Sequence, residues 1–204
     1  GAFKIDSDLQ IRAGRSMMNP EPSTAHRTHD GQQTPQEPSS DVTSLKEPAP
    51  LGFRRQLDMV LKSYYAVQAS LAADNLEQAR EAVPMLTEAL DKVSLDLLQE
   101  KHRALWTREK KTLSQAAAGV RDSKEIAKAR ESFLVLSDSL TETIRQMGVS
   151  GEVPILQFHC PMAFNNRGAN WLQESSELRN PYFGSSMLRC GTRTEILSEG
   201  KATQ

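Results

Sequence analysis

The sequence predicts a mainly α-helical protein: an up-and-down four-helix bundle followed by a loop-rich cap that carries cysteines and methionines. Apolar residues recur at three- and four-residue spacing through residues 51–148. Helix-start signals divide that stretch into four segments with short connections, which is typical of an up-and-down bundle. After Gly151 the helical spacing stops, and turn residues take over. The cap is therefore predicted at 149–194.

Length, charge and hydropathy limit the classes of function. The chain has 204 residues and a net charge of −1, from 25 basic and 26 acidic side chains. This balance provides no basic surface for a nucleic-acid partner. No run of 18 apolar residues occurs, so the sequence predicts no membrane span.

Two segments are expected before the bundle. Residues 1–18 contain alternating apolar residues, which predict a short β remnant of an upstream domain. Residues 19–50 are rich in proline and polar residues and poor in large apolar ones, which predicts a disordered, flexible linker. Because the chain begins with Gly1 and shows no signal-peptide pattern, we expect it to be a C-terminal piece of a longer protein. Residues 195–204 are expected to form a frayed tail.

The helix boundaries follow from capping signals. Residues 74–77 have the residue types of a capping box and are predicted to open the second helix. Ser94 is expected to cap the third helix, and residues 122–125 repeat the box before the fourth. Pro84 is expected to kink or interrupt the second helix because proline lacks a backbone donor. Gly148 has the residue type that ends helices.

Side chains within the predicted bundle are assigned to ordinary structural roles. Met59, Met85 and Met147 lie on or near apolar faces, where methionine usually fills gaps in the core. His102 is isolated, and a hydrogen-bonded or surface histidine is the expected reading. The bundle shows no repeat of carboxylates and histidines of the di-iron type.

The candidate site lies after the bundle. Both cysteines of the chain occur there, Cys160 with Met162 two residues later, and Cys190 with Met187 three residues earlier. Thiolate and thioether are soft ligands that select Cu(I) or Ag(I) over harder ions. A loop that folds back would bring these four sulfurs together around one ion, with His159 as a further, adjacent candidate.

Other readings of the two cysteines remain open. A Cys160–Cys190 disulfide would close a loop of about 30 residues and stabilise the fold by roughly 3–4 kcal/mol. The cysteines could also be buried free thiols. A nucleophilic cysteine assisted by His159 is disfavoured, because adjacent residues of an extended segment point to opposite faces. No set of nucleophile, base and orienting residue is visible, so the sequence does not predict an enzyme.

Three motifs carry a resemblance to a known family. They are Gln157-Phe158-His159-Cys160-Pro161-Met162-Ala163, Gly168-Ala169-Asn170-Trp171-Leu172, and Arg179-Asn180-Pro181-Tyr182-Phe183-Gly184 continuing through Met187-Leu188-Arg189-Cys190-Gly191. Residues 51–194 resemble a C-terminal domain of unknown function that is appended to periplasmic adaptor subunits, the membrane fusion proteins, of copper and silver efflux pumps. Residues 1–8 are similar to the last strand of the adaptor's membrane-proximal domain.

The resemblance implies a setting and a role. It implies the Gram-negative periplasm, and as partners an inner-membrane pump of the RND type and other adaptor subunits. It also places Cys160, Met162, Met187 and Cys190 at the family's motif positions. The expected function is a non-enzymatic metal-handling module that passes Cu(I) or Ag(I) to the pump. The alternative is a disulfide-stabilised structural or docking module, which an oxidising periplasm also favours.

Overall fold

The predicted four-helix architecture is confirmed. The structure, a computed structural model, describes residues 47–201. Within them the long helices are α1 (Leu51–Ala72), α2 (Leu76–Lys92), α3 (Glu100–Asp122) and α4 (Ile126–Met147). None of these helices is long and apolar enough to cross a membrane. The strand remnant predicted at 1–18, and the linker predicted at 19–50 up to residue 46, lie outside the described residues.

The helices form because each has one apolar stripe that the bundle buries. The stripe of α1 lies almost completely inside, from Phe53 to Leu71, and so does that of α4 from Phe133 to Met147. In α3, Trp106 is fully buried and meets Phe53 edge to face, with ring centroids 5.4 Å apart. Consecutive helices pack against each other, as short connections require.

The helix starts differ from the predictions. Asn75, one residue later than predicted, caps α2 by accepting a hydrogen bond from the Gln78 backbone N–H at 2.9 Å. Ser94 caps a short 3₁₀ turn, Leu95–Leu97, and α3 begins only at Glu100. Ser123 donates back to the Gly119 carbonyl, so it satisfies the end of α3 and does not open α4. The capping residue types therefore predicted correctly where one helix gives way to the next, but not which residue caps each helix.

Two features inside the bundle also differ from expectation. Helix α2 continues through Pro84, so of the two predicted outcomes, a kink or a break, the break does not occur. Met59 and Met85 do not fill the core, since they are 57% and 63% exposed, whereas Met147 is fully buried as predicted. An apolar residue type near a helical stripe does not decide on which side of the boundary its side chain falls.

The cap contains more regular structure than predicted. Strands β1 (Pro154–Cys160), β2 (Ala169–Gln173) and β3 (Thr192–Glu199) form an antiparallel sheet in the order β2-β1-β3. A strand leading into His159 was predicted, but β3 replaces the first five residues of the tail predicted at 195–204. The exposed polar residues of β3 obscured it, because an edge strand buries little of its surface.

The sheet is attached to the bundle through β2, which packs against α4 and α1. The Tyr64 hydroxyl of α1 lies in hydrogen-bond contact with the Ser137 hydroxyl of α4 and accepts from the Leu172 N–H of β2 at 3.1 Å. Burial raises the pKa of Tyr64, so its hydroxyl stays protonated. Tyr64 also stacks on Phe133 with ring centroids 5.1 Å apart.

The end of the predicted linker belongs to the folded domain. Ala49 is buried, and its N–H donates to the Met147 carbonyl at 2.8 Å. His102 Nε2 contacts the Glu47 carbonyl at 3.1 Å, so this buried histidine is hydrogen-bonded, as predicted. Residues 47–50 therefore pack along the end of the bundle.

Candidate functional site

The two cysteines meet at the end of the central strand, β1. Cys160 is the last residue of β1 and is fully buried, whereas Cys190 is partly exposed in the loop before β3. Both are free thiols, and their Sγ atoms lie 2.9 Å apart. The register explains the meeting: His159 pairs with Thr192, so the residues just before Thr192 come alongside Cys160.

A close approach at Gly191 makes this arrangement possible. Its φ of +131° lies in a region that side-chain-bearing residues rarely adopt. A Cβ at this position would lie 2.7 Å from the His159 carbonyl oxygen and 3.1 Å from the Trp171 ring. Glycine therefore lets the chain that follows Cys190 run directly against β1.

Asn180 holds the loop that carries Cys190. This residue is fully buried, and its side-chain amide donates to the Cys190 carbonyl at 2.8 Å. Its side-chain oxygen accepts from the backbone N–H groups of Tyr182 at 2.8 Å and Phe183 at 3.3 Å. Its own N–H donates to the Leu188 carbonyl at 2.9 Å. One buried side chain thus ties the Asn-Pro-Tyr-Phe-Gly turn to the backbone of the cysteine.

The same turn is anchored on the bundle by an ion pair. The Asp74 carboxylate, between α1 and α2, accepts from the Ser185 N–H at 2.7 Å and from Arg130 of α4 at 2.6 Å. These hydrogen bonds, first those from Ser185 and then that from Arg130, lower the pKa of Asp74 to about 2. Arg130 also donates to the Pro181 carbonyl at 2.7 Å. The cysteine loop is therefore fixed on the bundle from two sides.

The methionines flank the thiol pair. Met162 follows Cys160 beyond a proline and is 48% exposed. The Met162 backbone amide lies near enough to the Cys190 thiol to oppose the rise in its pKa. Met187 is partly buried, and its carbonyl accepts from the Cys190 N–H at 3.0 Å, so the two share one turn.

A left-handed turn follows Met162. Phe164, Asn165 and Asn166 all have φ between 52° and 64°. Asparagine tolerates this conformation, whereas a phenylalanine there costs about 1–2 kcal/mol. The Phe164 ring is held edge to face against Tyr182 at 5.3 Å. This contact offsets the backbone strain and sets where the exposed Met162 segment leaves the sheet.

His159 belongs to the other face of β1. Its Nδ1 lies 2.9 Å from Asn170 Oδ1, on the neighbouring strand. A Cβ on Gly168 would come within 2.7 Å of its ring, so the imidazole packs closely on that glycine. Because successive strand residues alternate faces, the ring points away from the Cys160 thiol. The His159 ring thus has a contact with Asn170, and its role as a further ligand stays a prediction.

The distance between the sulfurs has a chemical meaning. A disulfide needs about 2.05 Å. Two thiolates at about 2.3 Å from one tetrahedral ion lie about 3.8 Å apart. The 2.9 Å between the Sγ atoms lies between these values, about 0.9 Å from each. A two- or three-coordinate ion has a wider S–metal–S angle and would need a larger separation. The adjacent Cys160 thiol raises the pKa of Cys190 to about 11, so a metal ion would have to displace a proton from it.

Among residues 47–201, no group of three or more His, Cys, Asp or Glu side chains is close enough to hold a metal ion. A zinc site of the usual type therefore has no basis in this part of the chain. Met162 and Met187, within three residues of a cysteine, are the soft donors nearest in sequence to the thiol pair.

The fold and the site define a class of protein, a helical bundle that carries a small sheet with two adjoining thiols. Residues 60–152 match the family described as "Protein of unknown function (DUF3347)". The helical part of the chain therefore contains such a domain, and the match ends before β1 and the cysteines. No curated protein and no solved structure matches the chain.

Proposed function

We propose that this protein is a non-enzymatic metal-handling module that binds Cu(I) or Ag(I) through Cys160 and Cys190. Met162 and Met187 supply thioether ligands. The observation that carries this proposal is the direct contact of the two thiols, 30 residues apart, beside a half-exposed methionine. Soft ions accept two or three such ligands, and an exposed ligand allows an ion to enter and leave.

The cellular setting is part of the same proposal. The sequence motifs around Cys160, Asn180 and Cys190 support a module at the C-terminus of a periplasmic efflux adaptor. In that setting the module takes up Cu(I) or Ag(I) and passes it to an inner-membrane RND-type pump. Transfer of this kind needs few and exchangeable ligands, and two thiols with one or two thioethers meet that need.

A structural role is the second candidate. Cys160 is fully buried and needs to approach Cys190 by only about 1 Å to form a disulfide. Such a bond would join the end of β1 to the loop before β3 and would stabilise the domain by roughly 3–4 kcal/mol in the chain-entropy model. The domain would then serve as a docking module of the adaptor without a metal role.

A competition titration tests the metal proposal. The reduced protein is titrated with Cu(I) in the presence of a chromophoric chelator, next to a Cys160→Ser/Cys190→Ser variant and a Met162→Leu/Met187→Leu variant. We expect the cysteine variant to lose affinity by more than about a hundredfold, or about 2.8 kcal/mol. The methionine variant should lose about tenfold. Circular dichroism controls for the fold of each variant.

The thiol count separates the two candidates. Thiols are counted in the denatured protein as purified, before and after a mild reductant. Two free thiols together with tight Cu(I) binding support the metal module. Equal Cu(I) affinity in the reduced wild type and the cysteine variant contradicts it. Zero thiols that resist mild reduction, together with weak Cu(I) binding after full reduction, favour the disulfide module.

A further inference from the structure

A groove between α1 and α2 lies outside the cysteine site. It has a volume of about 190 Å³ and is lined by Gln56, Met59, Ser63, Met85, Glu88, Ala89 and Lys92. Met59 of α1 and Met85 of α2 both line it, and they are the most exposed large apolar side chains of residues 47–201. Burial of these two side chains would be favourable, so their shared groove is a surface that a ligand can cover.

The polar groups of the groove already have partners. The Gln56 side-chain oxygen accepts from the Ser94 N–H at 2.8 Å. The Ser63 hydroxyl donates to the Met59 carbonyl at 3.1 Å. Glu88 and Lys92 form an ion pair one helical turn apart, which leaves little net charge at the rim. The remaining donors of interest are the two thioether sulfurs.

We propose that Met59 and Met85 form a second binding site, for a soft monovalent cation such as Ag(I) or Cu(I). Thioethers bind soft ions and bind hard ions poorly. A hard ion would lose its hydration shell in this near-neutral apolar groove without gaining oxygen ligands. Methionine has three rotatable bonds, so each of the two sulfurs can change its position in the shared groove by side-chain rotation. With two neutral ligands the site is weaker than the cysteine pair and exchanges faster.

The site is independent of the cysteine pair, and its test keeps the two apart. The full chain with Cys160→Ser/Cys190→Ser and with ¹³C-methyl-labelled methionine is titrated with silver nitrate in a chloride-free buffer. NMR follows each methionine methyl group. We expect the Met59 and Met85 methyl signals to shift together with one shared dissociation constant. The buried Met147 signal should not move and serves as the control.

A single substitution tests whether the two sulfurs act as one site. Met59→Leu keeps size and apolarity, which exposed helix positions tolerate. We expect this variant to weaken the Ag(I) response of Met85 by at least about tenfold. Val135→Leu, at an exposed apolar position of α4 outside the groove, is the matched control and should leave that response unchanged. Potassium and zinc nitrate should shift neither signal.

Several outcomes would overturn the proposal. No shift at Met59 and Met85 would do so, as would different dissociation constants for the two signals. An unchanged Met85 response in Met59→Leu would show two separate thioethers and no joint site. Because these measurements use the Cys160→Ser/Cys190→Ser variant, none of the results bears on Cu(I) binding by Cys160 and Cys190.

Discussion

Replacement of Asn180 by alanine should weaken the fold and separate the two cysteines. Asn180 is fully buried, and its side chain makes three hydrogen bonds, two at 2.8 Å and one at 3.3 Å. Alanine leaves the Cys190 carbonyl and the N–H groups of Tyr182 and Phe183 without these partners. The sequence motif alone marks Asn180 as a turn residue, whereas the structure makes it the link between the turn and Cys190.

The magnitude follows from the number of bonds. A hydrogen bond contributes about 0.5–1.5 kcal/mol net, and a buried group left unpaired costs about 1–3 kcal/mol. The two short bonds of Asn180 dominate, and the longer one adds less. We expect Asn180→Ala to reduce the free energy of unfolding by about 3 kcal/mol. Without the Asn180 bond, the Cys190 backbone is less firmly held and its thiol is less often next to that of Cys160. We therefore also expect the thiol pair to oxidise about tenfold more slowly.

Two measurements check this prediction. Urea unfolding of the reduced protein, followed by tryptophan fluorescence, gives the stability change. The rate of thiol loss under a mild oxidant, measured in the absence of urea, gives the effect on the cysteine pair. Asn75→Ala is the matched control, because it removes one capping bond to Gln78, at 2.9 Å, and should cost about 1 kcal/mol. That control should leave the oxidation rate unchanged.

The result that refutes the reasoning is specific. If Asn180→Ala costs less than about 1 kcal/mol, its three hydrogen bonds do not hold the turn. If it destabilises the fold but oxidises at the rate of Asn75→Ala, the side chain supports the domain without positioning Cys190. Either outcome would show that Asn180 does not position Cys190.

Two further predictions concern the bundle. Asp74→Asn should destabilise by about 1 kcal/mol near pH 6. Because hydrogen bonds from Ser185 lower the pKa of Asp74 from 3.8 to about 2, this stabilisation is present above pH 4 and is lost as the pH falls toward 2. Unfolding curves of both proteins from pH 6 to 2.5 check this, and a difference that stays constant with pH contradicts it. Pro84→Ala should stabilise the protein by about 1–3 kcal/mol, because alanine restores a backbone donor to the uninterrupted helix α2. Thermal unfolding measures this, and a lower midpoint than wild type would show that Pro84 fits its helix without cost.

The predictable part of the fold is the part with local periodicity. The burial of Phe53, Val67, Phe133 and Ile144 followed from spacing alone, because helical neighbours on one face are set by residues three and four apart. The strand leading into His159 was also visible from its apolar residues. Strand β3 was not predicted, because it is an exposed edge strand. Its residues show no apolar alternation that would indicate its pairing with β1.

The candidate site was predicted in composition but not in arrangement. Residue types indicated that Cys160 and Cys190 belong together. They did not indicate the roles of Asn180 and Gly191, which act through a buried amide and a missing side chain. Asparagine and glycine are common in turns, so these residue types predicted a turn but not a contact with the cysteines. The strand alternation that puts His159 and Cys160 on opposite faces was visible beforehand, whereas the contact of His159 with Asn170 came from the pairing of β1 with β2.

By itself, the sequence determined the four helical stripes, their connections and the chemistry that two cysteines and two methionines can offer. These properties depend on residue type and on neighbours within one or two helical turns. Only the tertiary structure decided which sulfurs meet, because the register of β1 with β3 brings residues 30 positions apart to 2.9 Å. It also decided that Met59 and Met85 lie outside the core, since burial depends on which helix covers which face.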